Sequence, residues 1–144
     1  MSDRTSAVRY EQELPDVLQA MQGVHKVIDT YGFDRTIYHL VLLRASQING
    51  CAHCVKMHTR EAREDGETND RLDRVIVWEH VSDFDERERA ALAWTEALTY
   101  LDRKTDYGAL RKQLRKHFNN KEIAVLTAIV GMINMWNRLG VSRH

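Results

Sequence analysis

Proline is nearly missing from this chain. Pro15 is the one proline in 144 residues, and only seven residues are glycine. A sandwich or barrel needs turn residues at short intervals, so this scarcity points to helices. An excess of one charge is missing too. Lys+Arg and Asp+Glu stand at 21 each and are interleaved along the chain, which argues against a nucleic-acid footprint or a polybasic membrane patch. No unbroken apolar run reaches the ~18 residues of a membrane span. The opening MSDRTSAVRYEQEL holds no apolar signal core. We therefore expect no nucleic-acid partner, no membrane and a cytoplasmic location. Cysteine is scarce as well: there are two. In a reducing compartment, a close pair is more often redox-active or metal-binding than a structural staple.

What is present is helical periodicity. The 144 residues fit one domain, 1–144, with residues 1–13 as a polar N-terminal arm. Pro15 and Asp16 open a first helix that Gly32 stops. Asp34 caps a second, apolar almost all round through Ile37, Leu40, Val41, Leu42 and Leu43, and therefore central. Asn49-Gly50 breaks it, and a third helix runs from about Cys51 to Gly66. Thr68 caps a fourth, with Leu72, Val75, Ile76 and Trp78. Asp85-Glu86-Arg87-Glu88 reads as a capping box for a fifth. A short segment follows from Tyr107 to Phe118, and Asn119 or Asn120 caps a long last helix ending near Gly140. No period-2 strand is evident. The reading is an all-α bundle of six to seven helices.

The chemistry concentrates in Cys51-Ala52-His53-Cys54-Val55-Lys56-Met57-His58. Asn49-Gly50 sets Cys51 at a helix start, where free N–H groups and the positive dipole end favour a thiolate. Cys51, Cys54 and His58 follow offsets of three and four and share one face, so His58 can address Cys54. His53 points to another side. An activated thiol with a second poised to resolve it suits a thiol peroxidase or a disulfide reductase. At the level of residues, two buried hydrophobic cysteines or half of a zinc site compete with this reading. No second cysteine pair exists to complete four zinc ligands.

A histidine relay also needs an acid. Glu61 lies one turn after His58. Glu96, charged within the apolar stretch Ala93-Trp94-Thr95-Glu96-Ala97-Leu98, must be either paired or functional. The cluster Asn134-Met135-Trp136-Asn137-Arg138 reads either as a polar pocket wall or as groups that satisfy a helix end.

The run Leu43-Arg44-Ala45-Ser46-Gln47-Ile48-Asn49-Gly50, continued by the eight-residue thiol run, resembles the core of the alkylhydroperoxidase D-like proteins of the carboxymuconolactone decarboxylase superfamily. The likeness returns in residues 62–68, 86–99 and 133–139. It implies an all-helical subunit that assembles into a trimer or hexamer. It implies that Cys54 meets the peroxide, that Cys51 is the resolving and more accessible thiol, and that His58 carries the proton. One position departs from the pattern: the relay glutamate twelve residues before the first cysteine is His39 here. We expect Glu96 to supply the acid instead. The resulting expectation is a thiol-dependent hydroperoxidase with Cys54, Cys51, His58 and Glu96 in its site. It needs no cofactor or metal, and an unidentified dithiol reductant restores it. The rival is a non-enzymatic redox sensor or interaction module built on the same disulfide.

Overall fold

Asp34 starts the helix around which the others pack. Its carboxylate accepts the Ile37 N–H at 3.2 Å and so caps α3, Arg35–Asn49. In the computed structural model, which describes residues 3–144, nine of the fifteen α3 residues are buried. A helix buried on most sides must have a core on more than one of them, and α3 has two. Ile37, Val41, Leu42 and Ala45 enter one core with Trp94, Leu126, Ile129, Val130 and Ile133. Leu40 and Leu43 enter the other with Ala62, Leu72, Val75, Trp78, Phe84 and Leu92.

The remaining elements wrap this axis. They are α1 (Tyr10–Glu13), α2 (Pro15–Asp29), α4 (Ala52–Glu64), α5 (Asn69–Arg74), α6 (Glu86–Tyr100), α7 (Tyr107–Leu114) and α8 (Asn120–Val141), with a 3-10 segment at Val75–His80. No strand occurs among the described residues, and the fold is the expected all-α bundle. Seven of the eight α-helices match the sequence reading; α1 is the addition. The capping box at Asp85 and Glu88 is present. A second box joins Asn119 and Glu122 at the head of α8. The fourth expected helix is shorter than its apolar spacing implied: α-geometry ends at Arg74, the chain continues as a 3-10 segment, and that segment is itself kinked at Val77 (φ −120°, ψ 28°). α8 spans 22 residues and is long and apolar enough in composition to cross a membrane. Here Ile123, Leu126, Ile129, Val130 and Ile133 are buried in the first core.

The polar arm does not stand free. Tyr10 and Ser142 share a hydroxyl hydrogen bond of 2.8 Å, and Arg143 pairs with Glu11 at 3.2 Å. Residues 1–2 of the expected arm lie outside the described residues.

α3 and α8 are joined by amides as well as by apolar contact. Asn137 is fully buried. It accepts a hydrogen bond from Asn49 and donates one to Ser46, both at 2.9 Å. Asn134 accepts from Asn49 at 2.9 Å and donates to Thr99 at 3.1 Å. A satisfied buried amide adds little net stability, but removing it strands its partners. Asn137→Ala is expected to destabilise the fold by about 1–3 kcal/mol. Denaturant unfolding should show a lower midpoint with an unchanged slope; an unchanged midpoint would mean the amides do not hold the seam.

Candidate redox site

Gly50 closes α3 with φ 66°, a left-handed conformation that glycine adopts without a Cβ clash. The turn presents Cys51 as the N-cap of α4, and its Sγ accepts the Cys54 N–H at 3.3 Å. Cys51 and Cys54 are joined as a disulfide, with Cα atoms 5.2 Å apart. The two cysteines that sequence spacing placed together are therefore bonded.

Their exposures differ from expectation. Cys51 is the more deeply buried, at 0% against 4% for Cys54. The physical reason is Gly140. A Cβ built on that glycine would lie 2.5 Å from Cys51 Sγ and 3.3 Å from Cys54 Sγ. The α8 backbone thus lies directly on the sulfurs and covers Cys51. Cys54 lines a cavity of about 890 Å³, together with His53, Met57, His58, Tyr38 and Trp136.

His58 is buried one turn beyond Cys54 on α4. Neither ring nitrogen has a hydrogen-bond partner in the oxidised protein. Glu61 Oε2 approaches Nδ1 to 3.5 Å, close enough to attract a charged ring but not aligned for a hydrogen bond. Burial lowers the His58 pKa below the usual histidine value; Glu61 opposes the shift, and His39 and His53 add to it. The ring is therefore neutral at neutral pH, the form that accepts a proton. His53 is exposed and lines the same cavity, so it faces this site rather than turning away from it.

Glu96 does not join the thiols. Its Oε2 accepts Arg44 Nε at 2.7 Å and Trp78 Nε1 at 3.0 Å. This pairing answers the cost of a carboxylate in an apolar stretch, and Glu96 makes no hydrogen bond or ion pair with His58. The expected relay acid is corrected on that ground. The acid that approaches His58 is Glu61, whereas Asp65, two turns beyond His58, has its Oδ2 2.5 Å from His39 Nε2. Its partner comes from another helix, α3.

The cluster at 134–138 divides its roles. The two asparagines staple α3 to α8, while Trp136 faces the cavity and donates to His25 Nε2 at 2.6 Å. The cavity rim includes Tyr10, Glu11, Arg143 and His144 from the two ends of the chain. Among the described residues, no group of three or more His, Cys, Asp or Glu side chains is arranged to hold a metal.

Two glycines of α8 give opposite expectations. Gly140→Ala drives a methyl into the sulfurs and should destabilise the oxidised protein by about 1–3 kcal/mol. Gly131→Ala meets nothing within 4 Å and should stabilise the helix by about 0.5–1 kcal/mol. Chemical denaturation of both variants checks the pair; equal effects would refute close packing of Gly140 on the sulfurs.

Comparison with known proteins agrees with this geometry. The model of the carboxymuconolactone decarboxylase family matches residues 15–97. The uncharacterized protein YdfG of Bacillus subtilis is 32% identical over 142 residues, which cover 99% of this chain and 95% of YdfG. A protein of unknown function from Agrobacterium tumefaciens, described as a candidate AhpD antioxidant defence protein, superposes with a TM-score of 0.89 at 34% identity. That match covers 96% of this chain and 95% of the other. The debrominase Bmp8, solved with 2,3,4-tribromopyrrole, reaches a TM-score of 0.81 over 99% of this chain and 90% of its own, but at 16% identity it shares the fold alone. Family model, full-length relative and superposed structure agree that the chain belongs to the carboxymuconolactone decarboxylase family, among its AhpD-like members.

Proposed function

We propose that this protein is a thiol-dependent hydroperoxidase. One observation carries the reading: Cys54 of a disulfide pair opens onto an 890 Å³ cavity beside a buried His58 whose pKa is lowered. In the dithiol state, neutral His58 takes the Cys54 proton. The thiolate attacks the terminal oxygen of a hydroperoxide and the O–O bond breaks. The alkoxide takes a proton and leaves as alcohol, and Cys54 is left as a sulfenic acid. Cys51 displaces water from that sulfur and forms the disulfide. An external dithiol then restores both thiols by exchange, becoming a disulfide itself.

The reading places the protein in a reducing cytoplasm, where the exchange can be sustained. It includes a homo-oligomer, a trimer or hexamer. What supports assembly is the exposed apolar stripe of Val17, Val24 and Val27 on α2, with Tyr31 exposed just beyond its end.

Peroxide consumption with a panel of dithiol donors tests the reading. The wild type should turn over many times, whereas a redox sensor would oxidise once. Cys54→Ser should abolish consumption, and Cys51→Ser should consume about one equivalent and stop. Equal turnover in Cys54→Ser would remove the assignment. The pH dependence has a definite sign. A histidine with a lowered pKa stays neutral until the pH falls below its ordinary value of about 6.5. The acid limb of the rate profile should therefore lie below that value, and a limb above it would contradict the role of His58.

A further inference from the structure

The cavity at Cys54 encloses about 890 Å³, whereas hydrogen peroxide fills little more than the ~30 Å³ of a water molecule. A site of this size suits a bulky organic ligand. Leu18, Leu42, Met57, Ile133, Trp136 and Leu139 give it an apolar lining. Two of its aromatic rings have spent their polar atoms on protein partners. Trp136 Nε1 donates to His25 Nε2 at 2.6 Å, and the two rings stack with centroids 6.0 Å apart. The Tyr10 hydroxyl is shared with Ser142 at 2.8 Å. Trp136 therefore offers a ligand its ring surface and not its N–H. His25 accepts that N–H as a neutral ring. Burial lowers its pKa below the usual histidine value, and Asp29 opposes the shift.

The charges on the lining fall into two kinds. The arginines are engaged. Arg143 pairs with Glu11 at 3.2 Å, and Arg9, from outside the lining, approaches the same carboxylate at 3.7 Å. Arg35 pairs with Asp65 at 3.3 Å and lies over the Tyr38 ring at 4.7 Å. Two acids are not engaged. Among the described residues, neither Asp29 of α2 nor Glu61 of α4 is paired with an arginine or lysine; Glu61 approaches neutral His58 at 3.5 Å. Tyr38, on α3 in the same lining, feels both acids. Its hydroxyl pKa is raised, by burial first and then by Asp29; Arg35 opposes the rise and Glu61 adds to it.

We propose that this cavity selects its hydroperoxide by charge: it takes an uncharged molecule with a bulky, ring-bearing apolar body and rejects one whose body carries a carboxylate. This names the substrate class of the peroxidase reading and rests on that reading. A carboxylate entering the cavity leaves water and finds no free guanidinium to replace it. It also meets the field of Asp29 and Glu61 in a recess, where charges are screened less than on an open surface. An ester of the same shape meets neither cost. Its ring packs on the face of Trp136, which the His25 bond holds in place. Asp29 and Glu61 thus set the charge preference, and Trp136 sets the preference for a ring. The chemistry at the sulfurs does not change, since the same O–O bond breaks whichever body carries it.

The test compares cumene hydroperoxide bearing a para carboxylate with its methyl ester, together with the two corresponding alcohols, which cannot react. Calorimetry of the alcohols with the oxidised protein should show the ester bound about tenfold or more tighter than the carboxylate. The hydroperoxides should follow the same order in kcat/KM. Asp29 is exposed, so its variants leave the fold intact. The ester-to-carboxylate ratio, taken within each variant, should fall about threefold in Asp29→Asn and further in Asp29→Lys. Trp136→Leu should weaken the aryl ester alcohol by about threefold and leave its cyclohexyl counterpart unaffected. Equal or tighter binding of the carboxylate overturns the proposal, as does a ratio that Asp29→Asn and Asp29→Lys leave unchanged. If the ester preference appears in binding while neither hydroperoxide is consumed, the charge selection stands and the peroxidase reading fails.

Discussion

The contact between the α8 backbone at Gly140 and the sulfurs of Cys51 and Cys54 constrains the whole site. It requires α8 to run close to the turn at Gly50, and the amide of buried Asn137, bonded to Asn49 and Ser46, holds it there. It covers Cys51 and leaves Cys54 to the cavity. The redox pair is thus asymmetric because of where one helix lies, although both sulfurs belong to the same short motif.

The two cores serve that asymmetry. One sets α3 against α8 and fixes the seam above the thiols. The other sets α3 against α4 through Leu40, Leu43 and Ala62. It thereby brings His39 to the face that carries His58 and Asp65. Burial of His58 between these layers lowers its basicity while keeping it neutral and able to accept a proton. The paired Glu96, Arg44 and Trp78 brace α3, α6 and the 3-10 segment at a distance from this chemistry.

Local signals made most of the fold legible in the sequence. Asp34, Thr68, Asp85 and Asn119 all cap the helices that follow them, because a cap depends on residues three positions apart. The pairing of Cys51 with Cys54 was legible for the same reason. The environment of the site was not. Whether Glu96 faced His58 or Arg44 depends on how α6 rotates against α3, and no spacing within α6 encodes that. Gly140 read as a helix end, since its role is to leave room for atoms 89 positions away. The accessible thiol was misassigned because coverage comes from α8. The Asp65 partner of His39 comes from the end of α4, which no spacing within α3 encodes.

The central claim is that a hydroperoxide is the oxidant for this thiol pair. Rapid mixing of the fully reduced protein with a limiting organic hydroperoxide, while thiol loss and alcohol formation are followed together, tests it most directly. The account predicts one alcohol released per Cys51–Cys54 bond formed, at a rate far above that of free cysteine at the same pH. Thiol loss no faster than free cysteine, or disulfide formation without alcohol, would contradict it.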